Sequence, residues 1–319
     1  MLLSVVVPVY NESEGIKLFH DDLFEKTKKA TDNSFEIIYV NDGSRDDTLD
    51  KLKKIAKKND FIKVVNLSRN FGKEIATTAG INYSKGEATI IMDGDGQHPP
   101  SLINEFLKKW QHGAQIVIGV RSSNQKEGII KKWGSRIFYK IFNSTSGTEI
   151  VPRSTDFRLI DSDVRKEFLR FTERNRITRG LIDWLGFKRD YITFDAPARI
   201  AGEASYKTSQ LIKLAMNSFI SLSLKPLFFF GWVGVIITTL SLILGTFIII
   251  EQLILGDPME LNFTGSAMLG IFMSFMIGLV LISQSIMAIY LSHVHTQTQN
   301  RPIFIIDKAH SIGINSINT

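Results

Sequence analysis

Short apolar runs alternate with longer amphipathic stretches along the first part of the chain. Leu3–Val9, Phe35–Val40, Lys63–Leu67, Thr89–Met92 and Gln115–Gly119 are rich in Val, Ile and Phe and too short for helices, so they are read as strands. Glu14–Ala30, Asp46–Lys58, Lys73–Ser84 and Pro100–Gln111 carry apolar residues at helical spacing. Strand and helix in turn, joined by short polar connections, predict an α/β domain with a mostly parallel sheet covered on both faces. Beyond residue 120 the pattern loosens. Lys126–Phe142 reads as a basic helix, and Phe157–Ile160 and Tyr191–Phe194 read as two more strands.

The pattern then changes character. No Lys or Arg occurs between Pro226 and Asn300. Within that stretch Pro226–Ile250 and Ala267–Leu291 are interrupted only by uncharged polar side chains, and each exceeds the roughly 20 apolar residues of a membrane span. The connection between them holds Glu251, Asp257 and Glu260, whereas Lys207, Lys213 and Lys225 precede the first run and Arg301 and Lys308 follow the second. By the positive-inside rule residues 1–225 and the C-terminal tail are expected on the cytoplasmic side of the cell membrane. Thr208–Leu224 has helical apolar spacing and reads either as a helix lying in the interface or as a linker helix. The expected organisation is a catalytic-type domain over 1–206, an amphipathic segment over 207–225 and a first span over 226–250. An outer loop over 251–266, a second span over 267–291 and a tail over 292–319 follow. The start of the chain lacks the basic region of a signal peptide.

Composition narrows the chemistry. Of 38 Lys and Arg only Arg301 and Lys308 lie beyond Lys225, so the basic excess resides in the first domain. That excess is dispersed and accompanies no nucleic-acid-binding module, so a nucleic-acid partner is not expected. The absence of Cys excludes disulfides, thiolate metal sites and a Cys nucleophile. No Gly-x-x-x-x-Gly-Lys-Ser/Thr and no Gly-x-Ser-x-Gly occurs, which argues against a P-loop nucleotidase and a serine hydrolase.

In a parallel sheet, ligands bind beyond the carboxyl ends of the strands. The residues there are Tyr10-Asn11-Glu12, Asn41-Asp42-Gly43-Ser44, Ser68-Arg69-Asn70 and Asp93-Gly94-Asp95-Gly96-Gln97. Polar and acidic groups therefore converge on one edge, although Ser13, Ser44 and Asp46 also suit helix caps. Asp93 and Asp95 can hold a hard divalent cation, with Gln97 adding a neutral oxygen. His98 is expected behind the site or facing solvent rather than as a ligand. Asp42 suits either the recognition of a base N–H or a plain turn.

Four of these segments carry a resemblance. Val-Val-Val-Pro-Val-Tyr-Asn-Glu at 5–12, Asn-Asp-Gly-Ser-Arg-Asp-Asp-Thr at 41–48, Ser-Arg-Asn-Phe-Gly-Lys-Glu at 68–74 and Asp-Gly-Asp-Gly-Gln-His-Pro-Pro at 93–100 resemble family 2 glycosyltransferases of the GT-A fold. Thr-Asp-Phe-Arg-Leu at 155–159 and Arg-Ile-Ala-Gly-Glu-Ala-Ser-Tyr-Lys at 199–207 resemble the polyprenyl-phosphate branch, which includes dolichol-phosphate mannose synthases and bactoprenol glucosyltransferases. The resemblance implies that Pro8, Tyr10, Glu12, Asp42 and Asp93 bind the nucleotide. It implies that Asp93, Asp95 and Gln97 hold Mg²⁺ or Mn²⁺, with Asp95 counted among the catalytic residues. Asp156 stands at the position of the catalytic carboxylate, as a base or as an electrostatic orienter. Arg121, Arg199 and Lys207 would face phosphates.

The implied reaction is an inverting transfer of a sugar, UDP-linked by preference, from a nucleotide-sugar to undecaprenyl or another polyprenyl phosphate at the membrane, for modification of the cell envelope. Membrane lipid is a further implied partner, and a homo-oligomer is left open. The two rival readings are a processive polysaccharide synthase and an inactive membrane-tethered nucleotide-sugar-binding module. The Gln-x-x-Arg-Trp motif of the former is absent. Two departures stand out: Gly96 and His98 replace the usual Leu and Asp, and Ala204-Ser205 precedes Tyr206 in the later motif.

Overall fold

The computed structural model describes residues 2–122, 151, 153–174, 176–197, 243, 246, 250 and 265–314. It divides into two compact units, Met1–Tyr206 with Arg301–Thr319, and Lys207–Asn300.

The first unit is built on seven strands: β1 (Leu3–Val9), β2 (Phe35–Asn41), β3 (Ile62–Asn66), β4 (Ala88–Ile91), β5 (Ile116–Arg121), β6 (Ser154–Asp161) and β7 (Arg189–Phe194). They lie in the order β3-β2-β1-β4-β6-β5-β7. β1 pairs in parallel with β2 and β4, β2 with β3, and β5 with β7. Only β6 runs antiparallel, between β4 and β5. The mostly parallel α/β architecture expected from the pattern is the one observed. The antiparallel β6 was not legible, because a buried strand reads the same in either direction.

Every residue of β1 and β2 is buried, as strands covered on both faces require. Their side chains divide by parity. Val5 and Val7 join Phe19 and Leu23 of helix α1 (Ile16–Thr31) and Phe106 of α4 (Ile103–Gln111) on one face. Val6, Ile38 and Val40 join Ala76, Ala79 and Tyr83 of α3 (Lys73–Tyr83) on the other. Helix α2 (Thr48–Ala56) follows β2. Two short helices, α5 (Ser162–Leu169) and α6 (Thr178–Trp184), cover the β5–β6 end and were not foreseen. The expected helix over 126–142 lies outside the described residues.

The second unit contains helix α7, Gly265–Thr298, of 34 residues. It contains the second expected span, 267–291, and continues beyond it. Many of its side chains fall outside the described residues, and among the described residues no helix is long and apolar enough to cross a membrane. The first expected span is described only at 243, 246 and 250, and the expected segment 207–225 is not described.

After α7 the chain returns to the first unit. Leu67 bridges Ile306 and Val64 bridges Ile312, both antiparallel, with a 3-10 turn at Lys308–His310 between the two contacts. The tail thereby lines the free edge of β3.

Helix α3 packs on the sheet at Gly80 with no room for a side chain. A Cβ there would lie 2.2 Å from Val6 Cγ1 and 3.0 Å from Val40 Cγ2. Gly80→Ala should therefore push α3 outward and destabilise the domain by about 1–3 kcal/mol, the usual cost of overpacking. A denaturant midpoint equal to that of the wild type would contradict this.

Candidate active site

The parallel strands β1, β2, β3 and β4 deliver their C-terminal ends to one edge, and the loops there are tied together. Asn11, in a left-handed conformation with φ 54°, donates its N–H to Ser44 Oγ (3.0 Å) and accepts from the Arg45 N–H (2.9 Å). The Glu12 N–H reaches Thr48 Oγ1 at 2.9 Å and the Ser13 N–H reaches Asp46 at 3.1 Å. Ser44 and Asp46 thus join the loop after β2 to the loop after β1. No side chain caps α1, which begins after Gly15.

Asp42 is buried and links β2 to the loop after β3. Its two carboxylate oxygens accept from the N–H groups of Phe71 (2.7 Å) and Gly72 (2.9 Å). Desolvation raises its pKa, against the opposing pull of those two bonds and of Arg69. Gly43 makes the close approach feasible: at φ +65°, a Cβ on it would lie 2.4 Å from the backbone carbon of Arg69.

Lys73 opens α3 and reaches across the edge. Its Nζ lies 2.7 Å from Asp93 and 2.8 Å from Asp156 on β6. Burial opposes the ammonium charge, yet Asp156 and Asp93 together raise the Lys73 pKa above its ordinary value. Desolvation likewise works to raise the pKa of Asp156, but Lys73, with Arg179 and Arg158, outweighs it and holds the carboxyl below the usual range. One oxygen of Asp156, Oδ1, is buried without a hydrogen-bond partner.

The Asp93–Gln97 loop is braced from beneath. The Asp93 N–H donates to Nδ1 of His98 at 2.9 Å. His98 is 1% exposed and stacks on Phe157 at 5.0 Å, so the solvent-facing alternative is corrected. Burial lowers its pKa, and an Nδ1 that accepts a hydrogen bond belongs to the neutral ring. Gln97 donates its N–H to Asp95 (3.0 Å) and accepts at Oε1 from Arg121 (3.1 Å).

Pro8, Tyr10, Glu12, Asp42, Lys73, Asp93 and Asp95 line one open cleft of about 350 Å³. Asp156 joins this group through Lys73, and Gln97 and Arg121 join it through the Asp95 loop. Arg199 and Lys207 lie outside the described residues. Among the described residues no three His, Cys, Asp or Glu side chains gather into a metal cluster. Two carboxylates on the cleft, Asp93 and Asp95, with the neighbouring Gln97 amide oxygen, are hard oxygen donors that suit a cation taking its remaining ligands from substrate phosphates and water.

Two further features escaped the sequence. Lys73 is legible in the sequence only as the first residue of a helical stretch, with nothing to mark its two carboxylate partners. Behind Asp156, Arg158 and Asp183 form an ion pair at 2.8 Å, with both side chains 1% exposed. Arg158 also donates to the carbonyls of Thr155 (3.0 Å) and Arg179 (3.2 Å), so the pair clamps β6 to α6 beneath Asp156. Glu74 accepts from the Thr178 N–H at 2.8 Å and adds a second tie to α6.

Residues 4–169 match the family described as Glycosyl transferase family 2. An uncharacterized glycosyltransferase of Synechocystis sp. is 37% identical over 95% of this chain and 94% of its own length. A second uncharacterized glycosyltransferase, from Bacillus subtilis, is 32% identical over 97% and 94%. A prophage-derived bactoprenol glucosyl transferase of Shigella flexneri is 32% identical over 97% of this chain and 99% of its own.

The Arg158–Asp183 pair yields a stability prediction. Asp183→Ala leaves a buried guanidinium uncompensated and should cost about 3–5 kcal/mol. The double variant Arg158→Met, Asp183→Leu should recover most of that loss. Denaturant titration of the three proteins checks it: a double variant no more stable than Asp183→Ala would refute the pairing account.

Proposed function

The chain belongs to glycosyl transferase family 2 and is a glycosyltransferase, and from that premise we propose that it transfers a sugar from a nucleotide-sugar, UDP-linked, to undecaprenyl or another polyprenyl phosphate. The observation that carries this reading is the single cleft that collects Pro8, Tyr10, Glu12, Asp42, Asp93 and Asp95, with Asp156 tied to its edge by Lys73. The near-full-length similarity to a bactoprenol glucosyl transferase supports the lipid acceptor. The two apolar runs, 226–250 and 267–291, are assigned as spans that hold residues 1–225 and the tail at the cytoplasmic face.

In this reading Pro8, Tyr10, Glu12 and Asp42 bind the nucleoside. Asp42 already holds two backbone N–H groups, but each carboxylate oxygen keeps a second lone pair for a base N–H. Asp93 and Asp95, with Gln97, would hold Mg²⁺ or Mn²⁺, which would supply positive charge against the departing diphosphate. Arg121, Arg199 and Lys207 meet the phosphates. The acceptor is a phosphate monoester with a second pKa of about 6, so its oxygen is anionic at neutral pH and needs little help to lose a proton. A carboxyl held below its usual range is a weak base, so Asp156 is assigned to orientation and electrostatics. Lys73 offsets the repulsion among three anions: Asp93, Asp156 and the incoming phosphate. Attack from the face opposite the diphosphate inverts the anomeric centre.

The test is a screen of radiolabelled UDP- and GDP-sugars with undecaprenyl phosphate, followed by solvent partition. Label in the organic phase as a lipid-linked monosaccharide is expected, and a water-soluble polymer would point to a synthase instead. Asp95→Ala should abolish transfer while keeping the wild-type circular dichroism spectrum. Full activity of that variant in the presence of a chelator would remove the metal assignment.

A second prediction concerns pH. Without Lys73 the main influence lowering the Asp156 pKa disappears while desolvation remains, so the pKa rises. Lys73→Met should lower turnover and move the acid limb of the kcat profile to higher pH, with Lys73→Arg intermediate. A residual activity whose acid limb stays in place would confine Lys73 to Asp93.

A further inference from the structure

We infer that the C-terminal segment Phe304–Ile314 is a working part of the donor cleft, with Asp307 as a positioning residue for the loop Ser68–Gly72. The inference rests on the reading of that cleft as a nucleotide site.

The segment completes the β3 edge at the end nearest the cleft. The Ser68 N–H donates to the Ile305 carbonyl (2.9 Å), and the Asp307 N–H donates to the Asn66 carbonyl (2.9 Å). The Asn66 N–H donates to Ser311 Oγ (3.0 Å), and Val64 and Ile312 exchange two backbone bonds of 3.0 and 2.9 Å. Backbone groups that would otherwise form an open sheet edge are therefore paired.

A side-chain relay runs inward from the same point. Asp307 Oδ2 accepts from Asn66 Nδ2 (3.3 Å), and Asn66 Oδ1 accepts from Asn41 Nδ2 (2.7 Å). Both asparagines are buried. A carboxylate has only acceptors, so Asp307 dictates that Asn66 turns its NH₂ outward and its oxygen toward Asn41. His310 Nδ1, 2.6 Å from the same Asp307 oxygen, holds the carboxylate in place. The relay ends one residue before Asp42, whose oxygens grip Phe71 and Gly72.

The apolar side of the tail acts on the same loop. Phe304, Ile306 and Ile314 pack against the same buried cluster, containing Val65 and Leu67, that Phe71 packs against. Phe71 is thus held by Asp42 through its N–H, and its side chain packs on the cluster that the tail also covers. Asn70 and Gly72 of this loop line the cleft. A loop held on one side only would sample positions in which the cleft no longer fits a nucleotide, and affinity would fall by the fraction lost.

The test uses the full-length protein in lipid nanodiscs, with UDP and GDP as probes. Wild-type protein that binds neither would dispose of the donor reading itself, independently of the tail. Given binding, Asp307→Ala should weaken nucleotide affinity and raise the donor KM about tenfold, the scale of one lost hydrogen bond to a charged group. The kcat at saturating donor should stay within about twofold, and Asp307→Asn, which keeps an acceptor oxygen, should restore most of the affinity. Amide exchange at Phe71 and Gly72 should accelerate in Asp307→Ala, with or without nucleotide. Should Asp307→Ala fail to fold, Ser311→Ala keeps the Asp307 side chain, removes the bond to the Asn66 N–H and the Ser311 hydroxyl's bond to the Asp307 carbonyl (2.8 Å), and is read by the same measures. A lowered melting temperature with unchanged Kd, KM and exchange at Phe71 and Gly72 would overturn the inference and leave the tail a purely structural edge.

Discussion

The ammonium of Lys73 is the contact on which the site depends. Two carboxylates, Asp93 from the end of β4 and Asp156 from β6, face the same small volume, and without a cation between them their repulsion would pull the sheet edge apart or drive one of them neutral. Lys73 occupies an awkward place for this task. The first residue of a helix lies at the positive end of the helix dipole, where acidic side chains are favoured and basic ones are not. The two carboxylates outweigh that penalty, which is why the pKa of Lys73 is raised despite its desolvation. The position of α3 is in turn set by Gly80, whose missing side chain lets the helix close onto Val6 and Val40. A charge at the cleft is thereby aimed by a packing decision in the core beneath it.

The cleft is less a set of separate loops than a chain of mutual restraints. Ser44 and Asp46 bind the loop after β1 to the loop after β2, Asp42 binds the latter to the loop after β3, and Lys73 binds that side to β4 and β6. The donors and acceptors are mostly backbone N–H groups held by side-chain oxygens, so the loops are fixed in shape rather than merely brought near each other. Preorganisation of this kind lowers the entropy lost on binding a flexible ligand such as a nucleotide-sugar.

Much of this was legible in the order of residues. Strands such as Leu3–Val9 announce themselves because a strand buried on both faces must be apolar throughout, and the acidic residues just past each strand mark the binding edge. Asp42, Asp93 and Asp95 are marked by their place just past strands, and Asp156 by the family resemblance of the motif at 155–159. What could not be read shares one physical cause: a charge looks solvated until its partner is seen. Lys73, Arg158 and Asp183 are ordinary surface residue types; tertiary pairing makes Arg158 and Asp183 interior and ties the exposed Lys73 to two carboxylates. The buried neutral state of His98 follows similarly from Phe157, distant in the chain but stacked against it. The direction of β6 and the short helices α5 and α6 carry too little periodic pattern to be assigned.

The tail is the extreme case. Asn66 and Asp307 are 241 positions apart, so no local pattern links them. Phe304-Ile305-Ile306 is a brief apolar run, and only the free edge of β3 gives it meaning. The order of synthesis adds a consequence. Loop-closure entropy grows slowly with length, so even this long closure is thermodynamically modest. Kinetically, however, the β3 edge stays open until the whole second unit has been made. An unpaired edge next to apolar residues invites pairing with other chains. The arrival of Phe304–Ile314 then pairs that edge, beside the loop Ser68–Gly72.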